Sequence, residues 1–212
     1  MDTTTTAHQV ASFLLETEAV KLSPEKPFKW SSGWNSPIYC DNRVTLSFPH
    51  IRSFIKQQLA EQIKKNFPQA EAIAGVATAG IAQGALVADL LEMAFLYVRP
   101  EPKKHGMGNQ IEGKLIPGQK VVLVEDLIST GGSSLKSAEA VRAAGGEVVG
   151  MVAIFTYGFA LADENFRKAG IALHCLSNYS ALTEAAVANG YIQESAMGAL
   201  SEWRKSPETW GV

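Results

Sequence analysis

The stretch VVLVEDLISTGGSSLKSAEAVRAAGG, residues 121–146, decides how this chain is read. Val121 to Val124 are apolar, two acids follow at once (Glu125 and Asp126), and Ser129-Thr130-Gly131-Gly132-Ser133 leads into helix-forming sequence. A strand apolar throughout belongs in a parallel sheet with helices over both faces. A Gly/Ser/Thr turn from that strand into a helix makes an anion cradle. Successive backbone N–H groups converge, glycines allow close approach, and hydroxyls add donors. A phosphate suits it. The two acids would repel a bare phosphate, but they suit sugar hydroxyls or a divalent cation, so a sugar phosphate satisfies the whole segment. An ordinary turn with a Ser/Thr cap would explain STGGSS alone. It leaves unexplained two charges after an apolar strand, where charge is costly unless used. The chain has neither a GxxxxGK[ST] loop nor a GxGxxG turn after a strand, which disfavours a P-loop nucleotidase and a dinucleotide fold.

Outward from this segment, helix and strand signals alternate. Ile51, Ile55, Leu59 and Ile63 recur every four residues and predict a helix over 49–67 with Pro at its first turn. Strands are expected at 72–76, 94–98, 120–126, 147–157 and 171–176, with helices at 80–92, 133–144 and 159–169. Two short helices follow, around 180–188 and 193–204. A first helix spans 7–21, with the Thr run at 3–6 supplying its N-cap. Residues 27–43 read as two short strands joined by a Ser/Gly/Asn/Pro loop. The expected fold is α/β: a doubly wound, mostly parallel sheet with helices on both faces and a small N-terminal flap. Residues 1–48 form the helix and flap, part of the same domain as the core at 49–212.

Residues 99–119 break the alternation, with three Pro, four Gly and few large apolar side chains. Arg99, Lys103, Lys104, His105 and Lys114 gather there against Glu101 and Glu112. A loop this long in a compact domain is usually functional or disordered. It reads either as a solvated loop or as a hairpin excursion over an active site.

Composition excludes several classes. The 212 residues carry 19 Lys and Arg against 21 Asp and Glu, a net charge of -2, which argues against a nucleic-acid partner. Apolar residues make up 46%, enough for a sizeable core. Cys40 and Cys175 lie far apart with no metal-ligand spacing, so they read as free thiols suited to a reducing compartment. MDTTTTAHQV has neither a basic nor an apolar leader region, and no apolar run is long enough to span a bilayer. A cytoplasmic protein without membrane contact is expected. His8, His50 and His174 are scattered, and Trp30, Trp34, Trp203 and Trp210 suit packing or subunit contact.

The 121–134 segment resembles the signature of type I phosphoribosyltransferases. In that family the acid pair binds the ribose hydroxyls of phosphoribosyl diphosphate (PRPP) and the loop holds its 5'-phosphate. Three further stretches resemble the orotate branch: SSGWNSPIYCDNR (31–43), GVATAGIAQGALVA (75–88) and Arg99-x-x-x-Lys103-x-His105-Gly106, the last matching a mobile catalytic loop over 99–114. The resemblance implies transfer of phosphoribose from PRPP to orotate, giving orotidine 5'-phosphate and diphosphate in UMP synthesis. A purine-base transferase of the same fold, or a PRPP- or nucleotide-sensing regulator, are the alternatives. By the same resemblance, Glu125 and Asp126 hold the ribose hydroxyls and Mg²⁺ bridges ribose and diphosphate oxygens. Leu127 and Ile128 belong to the PRPP-binding segment, Ser129, Thr130, Gly131, Gly132 and Ser133 wrap the 5'-phosphate, and Arg99, Lys103 and His105 clamp the diphosphate. Lys103 and Asp126 are the catalytic candidates, while Ser129 and Tyr39 meet orotate. The loop reaches the partner's site, so a homodimer is implied. Many family members carry lysines where this chain has Ser31, Ala79 and Pro100. A weaker PRPP affinity is therefore expected, with Arg43 a possible substitute cation.

Overall fold

The computed structural model describes residues 3–30, 32–101 and 110–211. Helix α1 (Thr3–Glu16) precedes four short strands, β1 (Val20–Leu22), β2 (Phe28–Lys29), β3 (Asn35–Ser36) and β4 (Ile38–Cys40). β1 pairs with β4 and β2 with β3, both antiparallel. A 3-10 turn over Asn42–Ser47 leads to α2 (Pro49–Asn66). Then come β5 (Ala72–Val76), α3 (Ala79–Leu91), β6 (Ala94–Val98), β7 (Ile111–Glu112), β8 (Lys120–Ile128) and α4 (Gly132–Ala143). The chain continues through β9 (Glu147–Thr156), α5 (Ala160–Ala169), β10 (Leu173–Asn178), α6 (Tyr179–Ala188) and α7 (Met197–Lys205).

The main sheet has the order β10-β9-β8-β5-β6-β7, parallel throughout except for the β6–β7 pair. Alternate side chains of its central strands feed two cores, as the period of two in a strand dictates. Val122 and Val124 pack with Ile55, Leu59 and Ile63 of α2, whereas Val121 and Leu123 pack with Val141 of α4 and Phe166 of α5. Both faces of β8 are therefore dry, which accounts for its unbroken apolar run. Val10 and Leu14 of α1, Val20 of β1 and Ile38 of β4 belong to the first of these cores, so the N-terminal segment is built into the same body.

The chain builds from β5 outward through β6, then returns to the other side of β5 to lay down β8, β9 and β10. Strand order thus reverses between β5 and β8, and a crevice opens outside their carboxyl ends.

Several expected boundaries move. α1 begins at Thr3, so the Thr run lies inside the helix. That helix stops at Glu16: Glu18 turns the chain at φ 54°, and Val20 then pairs with Cys40. The flap holds three strands where two were expected over 27–43, because β4 leaves the β2–β3 hairpin to pair with β1. β8 runs two residues beyond Asp126, since Leu127 and Ile128 stay in register with Phe155 and Thr156 of β9. The acids accordingly lie within the strand. The excursion after β6 does return as a hairpin, with Val98 opposite Ile111 and the Arg99 N–H donating to the Gln110 carbonyl at 2.9 Å. Lys103, Lys104 and His105 lie outside the described residues.

Glycines set the closest approach in the fold. A Cβ on Gly80 would collide with the Val124 carbonyl oxygen, and one on Gly75 would stand 2.8 Å from the Gly80 carbonyl oxygen and from the Ile81 Cα. The α3 backbone therefore rests directly on β5 and β8, beside Glu125. Backbone cannot yield as a flexible side chain would. Gly80→Ala is expected to cost about 1–3 kcal/mol, the range for overpacking a core, in urea unfolding. Gly132→Ala, where the nearest atom to the added Cβ is Thr130 Oγ1 at 3.9 Å, should change stability little.

Candidate active site

At the crevice, a cavity of about 320 Å³ is bounded by the turn after β5 (Val76 to Ala79) and by the segment from Glu125 to Ser134. A second, more apolar cavity of about 680 Å³ adjoins it, walled by Lys29, Trp30, Trp34, Tyr39, Cys40 and Tyr157. Leu127, Ser129 and Thr130 line both, so the two spaces meet along the end of β8.

Glu125 is 6% exposed. Ser134 donates its hydroxyl to Oε2 at 2.8 Å, and the Asp126 N–H donates to Oε1 at 2.9 Å. Burial pushes the Glu125 carboxyl up to about 8, and the adjacent Asp126 charge adds to the shift. Asp126 is half-buried, and burial raises its carboxyl as well. Its carbonyl accepts from Asn42 Nδ2 at 2.8 Å, which ties the flap's exit to the acid strand. Asn42 is itself held by Cys40 Sγ, which donates to Oδ1 at 3.3 Å, and by Thr45 Oγ1, which donates to its carbonyl at 2.6 Å.

The turn after β8 has the form of a cradle. Gly131 at the N-cap of α4 is left-handed, φ 80°, and no side chain caps the helix. The leading N–H groups of α4 thus face the cavity instead of a Ser/Thr oxygen, against the alternative of an ordinary capped turn. A side chain at Gly131 would strike Phe166. Asn165 Nδ2 donates to the Thr130 carbonyl at 2.9 Å and so occupies the oxygen that would oppose an anion.

The second cavity is an aromatic slot on a rigid base. Trp30 packs on Tyr157 at 5.2 Å between ring centroids, and Trp203 meets Trp30 edge-on at 5.6 Å. Trp30 Nε1 donates to the Ile38 carbonyl and Trp203 Nε1 to the Asn35 carbonyl, so α7 pins the flap hairpin from below. Tyr39 is 45% exposed at the mouth, tilted against Phe28 at 5.8 Å.

The structure thus brings together Tyr39, Glu125, Asp126, Leu127 and the run from Ser129 to Ser133. Ile128 is fully buried, and its carbonyl accepts from the Tyr157 N–H, so its side chain faces away from the cavity. Arg99 lies on the hairpin, where Nη1 pairs with Glu112 at 3.3 Å. Arg43 is on the 3-10 turn and not on a strand as expected; its guanidinium forks onto Asp41 at 2.6 and 2.8 Å. That pairing holds Asp41 below the usual carboxylate range, and Arg43's charge also favours ionised Asp126. Ser134, Asn42 and Asn165 escaped the sequence reading. The second Ser of GGSS and the Asn of CDNR were visible signals for the first two, whereas nothing near Asn165 marks it.

The Glu125 shift has a sign that can be tested. Its folded value lies above the ordinary value of about 4.3, so the folded chain holds a proton that the unfolded chain has released. The penalty is absent below about pH 4.3, where both states are protonated, and grows as pH rises toward about 8. The melting temperature of the ligand-free protein should fall across that window, and Glu125→Gln should flatten the fall.

A phosphoribosyl transferase domain model matches residues 46–171. The orotate phosphoribosyltransferase of Cytophaga hutchinsonii is 59% identical, covering 95% of this chain and 97% of its own length. That of Porphyromonas gingivalis is also 59% identical, over 96% and 97%. The crystal structure of orotate phosphoribosyltransferase from Aeropyrum pernix superposes with a TM-score of 0.75 at 31% identity, over 86% of this chain and 99% of that one. With the acid pair, the uncapped helix and the strand reversal all at one crevice, the chain belongs to the phosphoribosyltransferase family.

Proposed function

We infer that the protein is an orotate phosphoribosyltransferase, a pentosyltransferase that joins orotate to the ribose of PRPP and releases diphosphate in pyrimidine synthesis. One observation carries the reading beyond the family. The phosphate cradle and the aromatic slot share Leu127, Ser129 and Thr130, an adjacency that would set a flat base beside the anomeric carbon of a ribose held by the acids. The near-full-length identity to enzymes of that name supports the same base.

In this reading the leading N–H groups of α4 bind the 5'-phosphate, and Glu125 and Asp126 orient the ribose through its hydroxyls. Tyr39 and Ser129 meet the orotate ring. The N1–C1' bond forms as the C1'–O bond to diphosphate breaks, so positive charge grows on the ribose and negative charge on the leaving group. Arg99, Lys103 and His105 would meet that negative charge, and cations fixed where charge develops lower the barrier. Closure of the 99–114 loop would exclude water from an oxocarbenium-like centre.

Mg²⁺ is part of the proposal. Among the described residues no group of three or more His, Cys, Asp and Glu could hold a metal ion. Two adjacent carboxylates beside a phosphate cradle fit an ion whose other ligands are substrate oxygens. Such an ion supplies positive charge to the departing diphosphate. A cytoplasmic setting has the support of two free, half-buried thiols, and among the described residues no helix is long and apolar enough to cross a membrane.

Incubation with PRPP and Mg²⁺ and separate offers of orotate, adenine, hypoxanthine, xanthine and uracil should consume orotate. Consumption of a purine instead would support a purine transferase, and no consumption a sensor. Lys103→Ala should lower kcat by ~10²-fold or more, the effect of losing one transition-state donor; a near-wild-type kcat would sink its role. If the loop serves the partner's site in a twofold dimer, mixing inactive Lys103→Ala and Asp126→Asn chains should restore roughly a quarter of the activity. A loop acting within its own chain would restore none.

A further inference from the structure

Orotate is uracil with a carboxylate on C6, next to the N1 that forms the new bond. A slot that accepts it needs a positive charge at its wall. Among the described residues lining the two adjoining cavities, Lys29 is the one cation, and the acids there are Glu125 and Asp126. Other nearby cations are committed: Arg43 forks onto Asp41, Arg99 pairs with Glu112, and Lys21 pairs with Glu18. No described acid pairs with Lys29, whose side chain is exposed at the end of β2.

The backbone under Lys29 is well held. It stands opposite Asn35 in the β2–β3 hairpin, whose carbonyl is pinned by Trp203 Nε1, and the next residue, Trp30, is packed between Tyr157 and Trp203. An anchored stem with a free ammonium group at the rim of an otherwise aromatic slot is suited to meeting one anionic substituent on a flat ring. Trp30, Trp34, Tyr39 and Tyr157 line the slot with rings that suit any flat pyrimidine and would not separate orotate from uracil.

We propose that Lys29 is a specificity-determining residue that pairs with the orotate carboxylate and sets the preference for orotate over uracil. The inference rests on the orotate reading and names the residue that makes the choice. Because the ammonium remains partly solvated, its contribution is moderate and screened by salt.

The experiment compares wild type with Lys29→Ala, Lys29→Gln and Lys29→Arg in steady-state kinetics at low and at high salt. Melting temperatures would confirm that each variant folds. KM for orotate should rise about tenfold in the Ala and Gln variants, as for loss of a charge-assisted contact, and should largely recover in Arg. KM for PRPP and the inhibition constant of uracil should stay as in wild type, and the salt dependence of orotate KM should shrink in Ala and Gln. An unchanged orotate KM in Lys29→Ala would overturn the assignment, as would an equal weakening of orotate and uracil, which would mark a collapsed slot. Wild-type protein that consumes no orotate would instead remove the orotate reading, and the Lys29 role with it.

Discussion

The hydrogen bond from Ser134 Oγ to Glu125 Oε2, 2.8 Å long, ties a carboxyl buried in the central strand to the helix that follows it. A buried carboxylate is expensive, and such a group keeps its proton or finds donors. Glu125 does both, with its carboxyl raised to about 8 and two hydrogen bonds to Ser134 and the Asp126 N–H. Those contacts require β8 in register with β5 and β9, and α4 starting no later than Gly132. Gly80 meets the Val124 carbonyl one residue earlier, so the α3 turn is fixed against the same strand. The acid strand, the α3 turn and the α4 cradle are thus one mechanical unit, and the cavity is the space they leave.

The flap depends on that unit less directly. Its link to the acids runs through Asn42, which donates to the Asp126 carbonyl, and its base rests on Trp30, Tyr157 and Trp203. The C-terminal helix therefore acts on the base slot although it lines neither cavity. The two cavities are formed by elements distant in sequence but joined along Leu127 to Thr130. Any tilt of the flap would shift one cavity relative to the other.

Legibility in the sequence followed physical scale. β5 and β6 are short apolar runs, the first entered from Glu71 and the second left at Arg99, and their predicted limits match the structure residue for residue. The sequence predicts β8 two residues short because its acids look like a terminus; the register with β9 carries it on, and that register is a tertiary property. Arg43 lies off the expected strand for a local reason: the Asp41 side chain, which accepts from the Arg43 N–H and opens a 3-10 turn, leaves no periodic trace in the sequence. The acid pair and cradle are legible because their chemistry sits in nine consecutive residues, Glu125 to Ser133. Asn165, from a neighbouring helix, is not, since its role exists only once α5 packs beside α4.

Charge distribution gives the site its logic. PRPP is strongly anionic, yet the cavity that would take its ribose end is lined by two acids and by no described cation. A proton on Glu125 removes part of the repulsion, and the uncapped amides of α4 supply attraction at the phosphate end. Neither reaches a diphosphate on the opposite side of the sugar. Where Ser31, Ala79 and Pro100 stand, the resemblance leads one to expect lysines, so in the proposed reading neutralisation would fall on the segment that carries Arg99, Lys103, Lys104 and His105. In the proposed reading the positive charge for the diphosphate and the acids for the ribose then come from separate stretches of the chain. A nearly neutral chain can serve a polyanionic ligand in this way because its cations are clustered and not spread evenly.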